Sequence, residues 1–320
     1  MRIAVMGAGG QGGYFGGMLD RVGEDVTFIA RGAHLEAMRN HGLTVKSRLA
    51  GDFTLPVKAT DNPAEIGPVD LVMFCVKTYD TDSAAKQIKP IIGADTMVVS
   101  TQNGVDSEER IERVMGPGRF IACVNYVNSV IEKPGVIDVR FAGMTSLGEL
   151  DGNMTPRMER LTKTFERAGI KVELRSDIRA YLWEKFVAFC GFGSVEVLTR
   201  LPAGPIRACP ETTDLWLGAS KEVVEVARAR GVPLSDGFLD QFLELVASLP
   251  STHRASMYYD LRDGKRLELE ALNGTVVRMG RELGVATPLN FAIYAALKPY
   301  ADGAPAMPMG GQAALNANHT

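Results

Sequence analysis

Apolar residues in the first half of the chain cluster in short β-rich runs, and the stretches between them repeat at helical spacing. Alternation of this kind predicts a parallel sheet covered by crossover helices. Residues 2–6 (RIAVM) read as a buried strand and 11–21 as the helix behind it, and 25–30 (DVTFIA) as a second strand followed by a helix through Leu35 and Met38. Residues 43–57 carry two short alternating runs around Gly51 and Asp52, the pattern of a small hairpin. Residues 70–76 (DLVMFCV) and 96–100 (TMVVS) are continuous apolar runs, as expected of strands covered on both faces. Two further β-rich segments, 120–131 and 136–147, are expected to finish the sheet in antiparallel fashion.

The periodicity changes after Gly148. Residues 158–168 are amphipathic, 171–174 make one more short strand, and from 178 to 297 the spacing is helical, broken near Pro202, Pro210, Pro233 and Pro250. The predicted division is an α/β domain over residues 1–176 and an all-helical domain over 177–302. Residues 303–320 have no amphipathic period, are rich in Gly, Ala and Pro, and are expected to be a disordered tail.

Composition narrows the function classes. The chain has 320 residues, 46% hydrophobic and 23% charged, enough to bury two cores. A net charge of -3 and a pI near 5.9 argue against a broad basic face for nucleic acid, while leaving room for a local phosphate pocket. Cys75, Cys123, Cys190 and Cys209 are scattered without a C-x-x-C pair, so neither a disulfide framework nor a zinc site is expected. His34, His41, His253 and His319 are too dispersed for a metal site. No run approaches the roughly 18 apolar residues of a membrane span. In MRIAVMGAGG the glycines begin at Gly7, before a signal-type apolar region is complete. The expectation is a cytoplasmic protein with no nucleic-acid or membrane partner.

Gly7-Ala8-Gly9-Gly10-Gln11-Gly12 matches G-x-G-x-x-G between the first strand and its helix. In that context the first glycine permits a tight turn, the second lets the backbone approach a pyrophosphate, and the third lets helix and strand pack closely. The alternative is a glycine-rich turn with no ligand. The motif and its β-α-β setting predict a Rossmann-type dinucleotide-binding domain. Where an NAD site usually places an acid at the end of the second strand, this chain has Ala30-Arg31-Gly32. A guanidinium suits a 2′-phosphate, so NADP(H) is the expected cofactor; the alternative is an exposed arginine at a helix start.

Reduction of a ketone leaves an alkoxide that needs a proton, so a positioned acid is required. Tyr181 and Lys185 have the Tyr-x-x-x-Lys spacing of short-chain dehydrogenases but lie beyond the nucleotide domain, where the match reads as accidental. Six segments give a better account: the glycine loop, Phe74-Cys75-Val76-Lys77-Thr78, Gln102-Asn103-Gly104, Leu182-Trp183-Glu184-Lys185, and His253-Arg254-Ala255-Ser256-Met257 preceding Glu268-Leu269-Glu270-Ala271-Leu272-Asn273-Gly274. In order and spacing this set resembles the ketopantoate reductase family (2-dehydropantoate 2-reductases), over the chain to about residue 300.

The resemblance implies NADPH-dependent reduction of a 2-keto acid, as in pantothenate biosynthesis. It makes Lys185 the general acid and Glu268 the glutamate that helps to hold lysine and substrate, with Glu270 a neighbouring alternative. Asn103 and Lys77 follow strand ends and would face cofactor and substrate, and Ser256 would donate to the substrate. Family members usually carry Asn four and eight residues after the lysine; here those positions are Phe189 and Gly193, which points to a less polar or bulkier substrate than ketopantoate. Two other readings remain open. One is a different NADP-linked hydroxy-acid or opine-type dehydrogenase, with His253 as an alternative acid. The other is a non-catalytic NADP(H)-binding redox sensor. A homodimer through the helical domain is compatible with either.

Overall fold

The computed structural model describes residues 1–305. Most of the predicted tail, 306–320, lies outside the described residues. Among the described residues ten strands build the sheet: β1 (Arg2–Met6), β2 (Asp25–Ile29), β3 (Leu43–Ser47), β4 (Phe53–Leu55), β5 (Lys58–Thr60), β6 (Val69–Phe74), β7 (Ile92–Ser100), β8 (Phe120–Lys133), β9 (Val136–Gly148) and β10 (Val172–Leu174). Their spatial order is β4-β3-β9-β8-β7-β6-β1-β2-β5, with β10 paired to β9. From β5 to β8 every neighbouring pair is parallel. The long β8 and β9 then run antiparallel, as expected of these two β-rich segments.

Alternation along β1 sets the layers. Ile3 and Val5 join Phe15, Leu19 and Phe28 under one face, while Ala4 and Met6 join Phe74 and Ile88 under the other. Because β1 is covered on both sides, it reads as an unbroken apolar run. The chain leaves β1 for β2 on one side and returns to β6 on the other. The carboxyl ends of β1 and β6 therefore open a crevice at the point where strand order reverses, the usual ligand position in such sheets.

The predicted hairpin forms, with Val45 opposite Phe53. It also carries a partner that local pattern does not show, since β3 adds in parallel to the first half of β9. Three-residue β5 completes the far edge beside β2, too short for alternation to reveal.

Helices follow from Ile178. Their largely aliphatic core holds an aromatic cluster, with Trp216 edge-on to Phe192 at 5.5 Å and to Phe242 at 5.8 Å between ring centroids. Edge-to-face pairs of this kind contribute about 0.5–1.5 kcal/mol beyond their buried area. Among the described residues no helix is long and apolar enough to cross a membrane.

Candidate active site

The glycines of the loop after β1 have different jobs. Gly7 sits at φ +95°, a left-handed conformation, and a Cβ there would press on Val76 at 2.8 Å. At Gly12 a Cβ would fall 2.1 Å from the Gly7 carbonyl, and at Gly10 it would fall 2.0 Å from that of Ser129 on β8. Both of these glycines let helix Gly10–Arg21 pack on the sheet. Gly9 alone faces open space, with nothing within 4 Å of an added Cβ. The loop thus fits a pyrophosphate: one backbone stretch is unobstructed, at a helix N-terminus whose first N–H groups lack intrahelical partners. Gln11 is half-buried in the first turn, and the Ala8 carbonyl is tethered by His34 Nε2 at 2.8 Å.

Arg31 ends the extended segment after β2 and caps helix Gly32–His41. Its side chain is 78% exposed and reaches Asp80 at 3.4 Å, a loose pairing that leaves the guanidinium available.

Lys77, in the loop after β6, links sheet and helices. Its Nζ donates to Asp260 at 2.9 Å and to Glu268 at 3.0 Å, while the other Glu268 oxygen accepts from the Thr78 amide at 3.1 Å. Burial works against the lysine's charge, yet the two carboxylates hold its ammonium well above the ordinary lysine range. With two of its three N–H groups engaged, one is left for a ligand.

Lys185 lies on helix Ile178–Ala188 and projects into the angle between that helix and β8. Its Nζ donates to the Asn125 carbonyl at 2.8 Å. Burial pulls its ammonium down to about 8, against a smaller opposing pull from Cys123 and Glu268. Beside it lies a small cavity lined by Gln102, Asn103, Cys123, Leu182, Lys185 and Phe189. The structure thus brings together Asn103, Lys185 and Phe189.

A π-helical turn, Phe189–Gly193, interrupts the helix that follows the lysine. Such wide turns free carbonyls from the regular ladder, and two of them find side-chain partners here. Asn273 Nδ2 donates to the Cys190 carbonyl at 2.9 Å. The Ser194 hydroxyl lies 2.9 Å from the Phe189 carbonyl and 2.6 Å from Asn273 Oδ1. Asn290, bonded to both Asn273 and the buried Glu222, anchors this network.

Several expectations need correction. Glu268 makes its hydrogen bonds to Lys77 and Thr78 rather than to Lys185, because the loop after β6 lies nearer its carboxylate. Glu270, the neighbouring alternative, turns away to Tyr294, Arg278 and Lys298. Gly193 and Ser256 do not line the lysine's cavity. Gly193 packs instead against Ala255, whose Cβ would lie 3.4 Å from an added one, and Ser256 is exposed at the start of its helix. The buried Glu196 draws this segment in by accepting from the Ala255 amide at 2.8 Å, and it also pairs with His253 at 3.1 Å. His253 is thereby tied to a carboxylate away from the cavity, which weakens it as an alternative acid.

Asp260 and Asn125 were not foreseen. Asp260 follows Ser256 by four residues on one helical face, a usable signal. Asn125 contributes a backbone carbonyl, which leaves no signature in side-chain type. Among the described residues no cluster of three or more His, Cys, Asp or Glu is arranged to hold a metal.

A glycine loop at the sheet's switch point, faced by helices that lend an enclosed lysine, defines a two-domain nicotinamide-dinucleotide-dependent oxidoreductase acting on a CH–OH group. The family described as ketopantoate reductase PanE/ApbA matches residues 3–152, and its C-terminal counterpart matches 177–301. The 2-dehydropantoate 2-reductase of Pyrococcus horikoshii is 30% identical over 298 residues, spanning 93% of this chain and 97% of that one. The solved PanE/ApbA family ketopantoate reductase of Ralstonia eutropha aligns with a TM-score of 0.86 at 33% identity, covering 94% of this chain and 98% of its own. A D-mandelate dehydrogenase solved with NADH and anilino(oxo)acetate shares the fold at a TM-score of 0.85 and 21% identity, with 94% and 98% covered. The chain belongs to the ketopantoate reductase family.

Proposed function

We propose that the protein reduces a 2-keto acid to the 2-hydroxy acid with NADPH, and that Lys185 is the general acid. The observation that carries this reading is the enclosed Lys185 ammonium, pulled down to about 8 and facing Asn103 across one small cavity. A group poised near neutrality both holds a proton and releases it readily.

Residues 1–176 are assigned to the nucleotide and 177–302 to substrate and catalysis. Gly7, Ala8, Gly9, Gly10, Gln11 and Gly12 form the pyrophosphate cradle, with Gly9 the point of closest approach. Arg31 exchanges its loose contact with Asp80 for the 2′-phosphate, which selects NADPH. The bound dinucleotide supplies the hydride. Lys185 passes its proton to the carbonyl oxygen as the C2–H bond forms, and its positive charge stabilises the developing alkoxide before that transfer. Asn103 and the free Lys77 N–H orient the substrate's carboxylate. Glu268 positions Lys77 and favours the charged form of Lys185.

The test is NADPH and NADH oxidation measured over a panel of 2-keto acids that includes ketopantoate. The proposal expects turnover with at least one acid and a preference for NADPH. An inactive panel, or turnover indifferent to the 2′-phosphate, would overturn it.

A further inference from the structure

Polar groups around the Lys185 cavity are nearly all spoken for. Gln102 accepts from the Ser100 hydroxyl at 3.2 Å and donates to the Val76 carbonyl at 3.0 Å and the Thr81 hydroxyl at 2.8 Å, so its amide is fully used. Burial pushes the Cys123 thiol up to about 12, leaving it neutral and weakly polar. What remains for a ligand is the Asn103 amide and two N–H groups of Lys185. Together with the free Lys77 N–H, these suit the carboxylate and carbonyl of a 2-keto acid and leave no partner for a further hydroxyl.

The rest of the wall is apolar. Lys185 Nζ lies 5.4 Å from the Phe189 ring centroid and 5.6 Å from that of Tyr126, on β8 one residue after the carbonyl that binds the lysine. Tyr126 is 41% exposed and flanks the ammonium outside the cavity's own lining. Leu182 and Phe186 complete the cavity's apolar side with Phe189. Phe189 is fixed in turn by the π turn that Asn273 and Ser194 brace. Aromatic faces beside a cation accept a flat hydrocarbon group well and offer no partner to a hydroxyl.

We propose that Tyr126 and Phe189 are specificity-determining residues that select 2-keto acids with an aryl or flat apolar substituent over those whose substituent carries a hydroxyl. This rests on the reading of Lys185 as the acid of a 2-keto acid reductase, and it adds the identity of the group that the cleft receives.

The experiment measures NADPH oxidation by the full-length protein with phenylpyruvate, ketopantoate and pyruvate. Phenylpyruvate should exceed ketopantoate in kcat/KM by roughly tenfold to a hundredfold, the range over which an apolar pocket discriminates. Phe189→Ala and Tyr126→Ala should each lower kcat/KM for phenylpyruvate by about tenfold, mainly through KM. Pyruvate, which lacks the group that the rings would receive, should lose less than phenylpyruvate in both variants, so the phenylpyruvate-to-pyruvate ratio of kcat/KM should fall. Tyr126→Phe should keep the preference for phenylpyruvate over ketopantoate, since the ring and not the hydroxyl makes the contact. NADPH affinity, unchanged in each variant, shows that the fold persists. If ketopantoate is the better substrate, or the alanine variants leave the ratio unmoved, the aromatic wall is not the selector. The reductase reading would still stand if turnover then vanished in Lys185→Ala. If no keto acid is reduced at all, the reading and the selectivity built on it fall together.

Discussion

Raising the pH through the range of the Lys185 ammonium should switch the reductase off. Burial pulls this group to about 8 from an ordinary lysine value of 10.5. A single acid of that value is about nine-tenths protonated one unit below it and about one-tenth protonated one unit above, so kcat/KM for reduction should fall close to tenfold per unit on the alkaline side. An ordinary exposed lysine would keep activity flat to about pH 10. The sign follows from the reaction: reduction consumes the protonated form, so activity is full below the inflection and lost above it. Oxidation of the hydroxy acid, which needs the neutral amine as base, should show the mirror profile. The assay is initial-rate NADPH oxidation from pH 6 to 10.5 at saturating cofactor, with NADPH affinity followed separately. A profile with no inflection between about pH 7 and 9 would refute the assignment. So would an inflection that survives unchanged in the residual activity of Lys185→Ala.

Replacing Arg31 with Ala should weaken NADPH by roughly tenfold to a hundredfold while leaving NADH nearly unaffected, as titration calorimetry would report; equal losses would remove Arg31 as the phosphate reader. Gly9→Val should abolish NADPH binding yet keep the thermal midpoint, since nothing lies within 4 Å of the added Cβ; retained affinity in the folded variant contradicts the cradle. Asn273→Leu should lower urea stability by about 2–4 kcal/mol, because it strands the Cys190 carbonyl and the Asn290 Oδ1 in a buried site; a change under about 0.5 kcal/mol would mean that the π turn does not depend on this network.

Much of the nucleotide half was legible because its signals are local. The apolar runs of β1 and β6, the glycines between β1 and its helix, and the β-rich composition of β8 and β9 are each visible within a short window. Pairing of β3 with β9 was not legible, since the partners lie about ninety residues apart and neither pattern names the other. In the cleft, Lys185, Glu268 and Asn103 were visible as members of a spaced set, but their bonding was not. Lys77 and Glu268 meet across 191 positions, and Lys185 is held by a carbonyl that any residue type could supply. The relation of Lys185 to Phe189 and Gly193 was read as one regular helical face. The π turn alters that face, leaving Phe189 in the cavity and Gly193 packed beneath Ala255.

The central claim is that Lys185 serves chemistry rather than cofactor binding, and single-turnover hydride transfer tests it most directly. NADPH-loaded wild type and Lys185→Ala are mixed with a saturating active keto acid, and the loss of NADPH absorbance is followed by stopped flow. The account predicts that the variant slows transfer by ~10²–10⁴-fold, with the NADPH dissociation constant within about twofold of wild type. Lys185→Arg should be nearly as slow, because a guanidinium keeps the charge but not a readily released proton. A transfer rate close to wild type in Lys185→Ala would contradict the account and move the acid to another residue of the cleft.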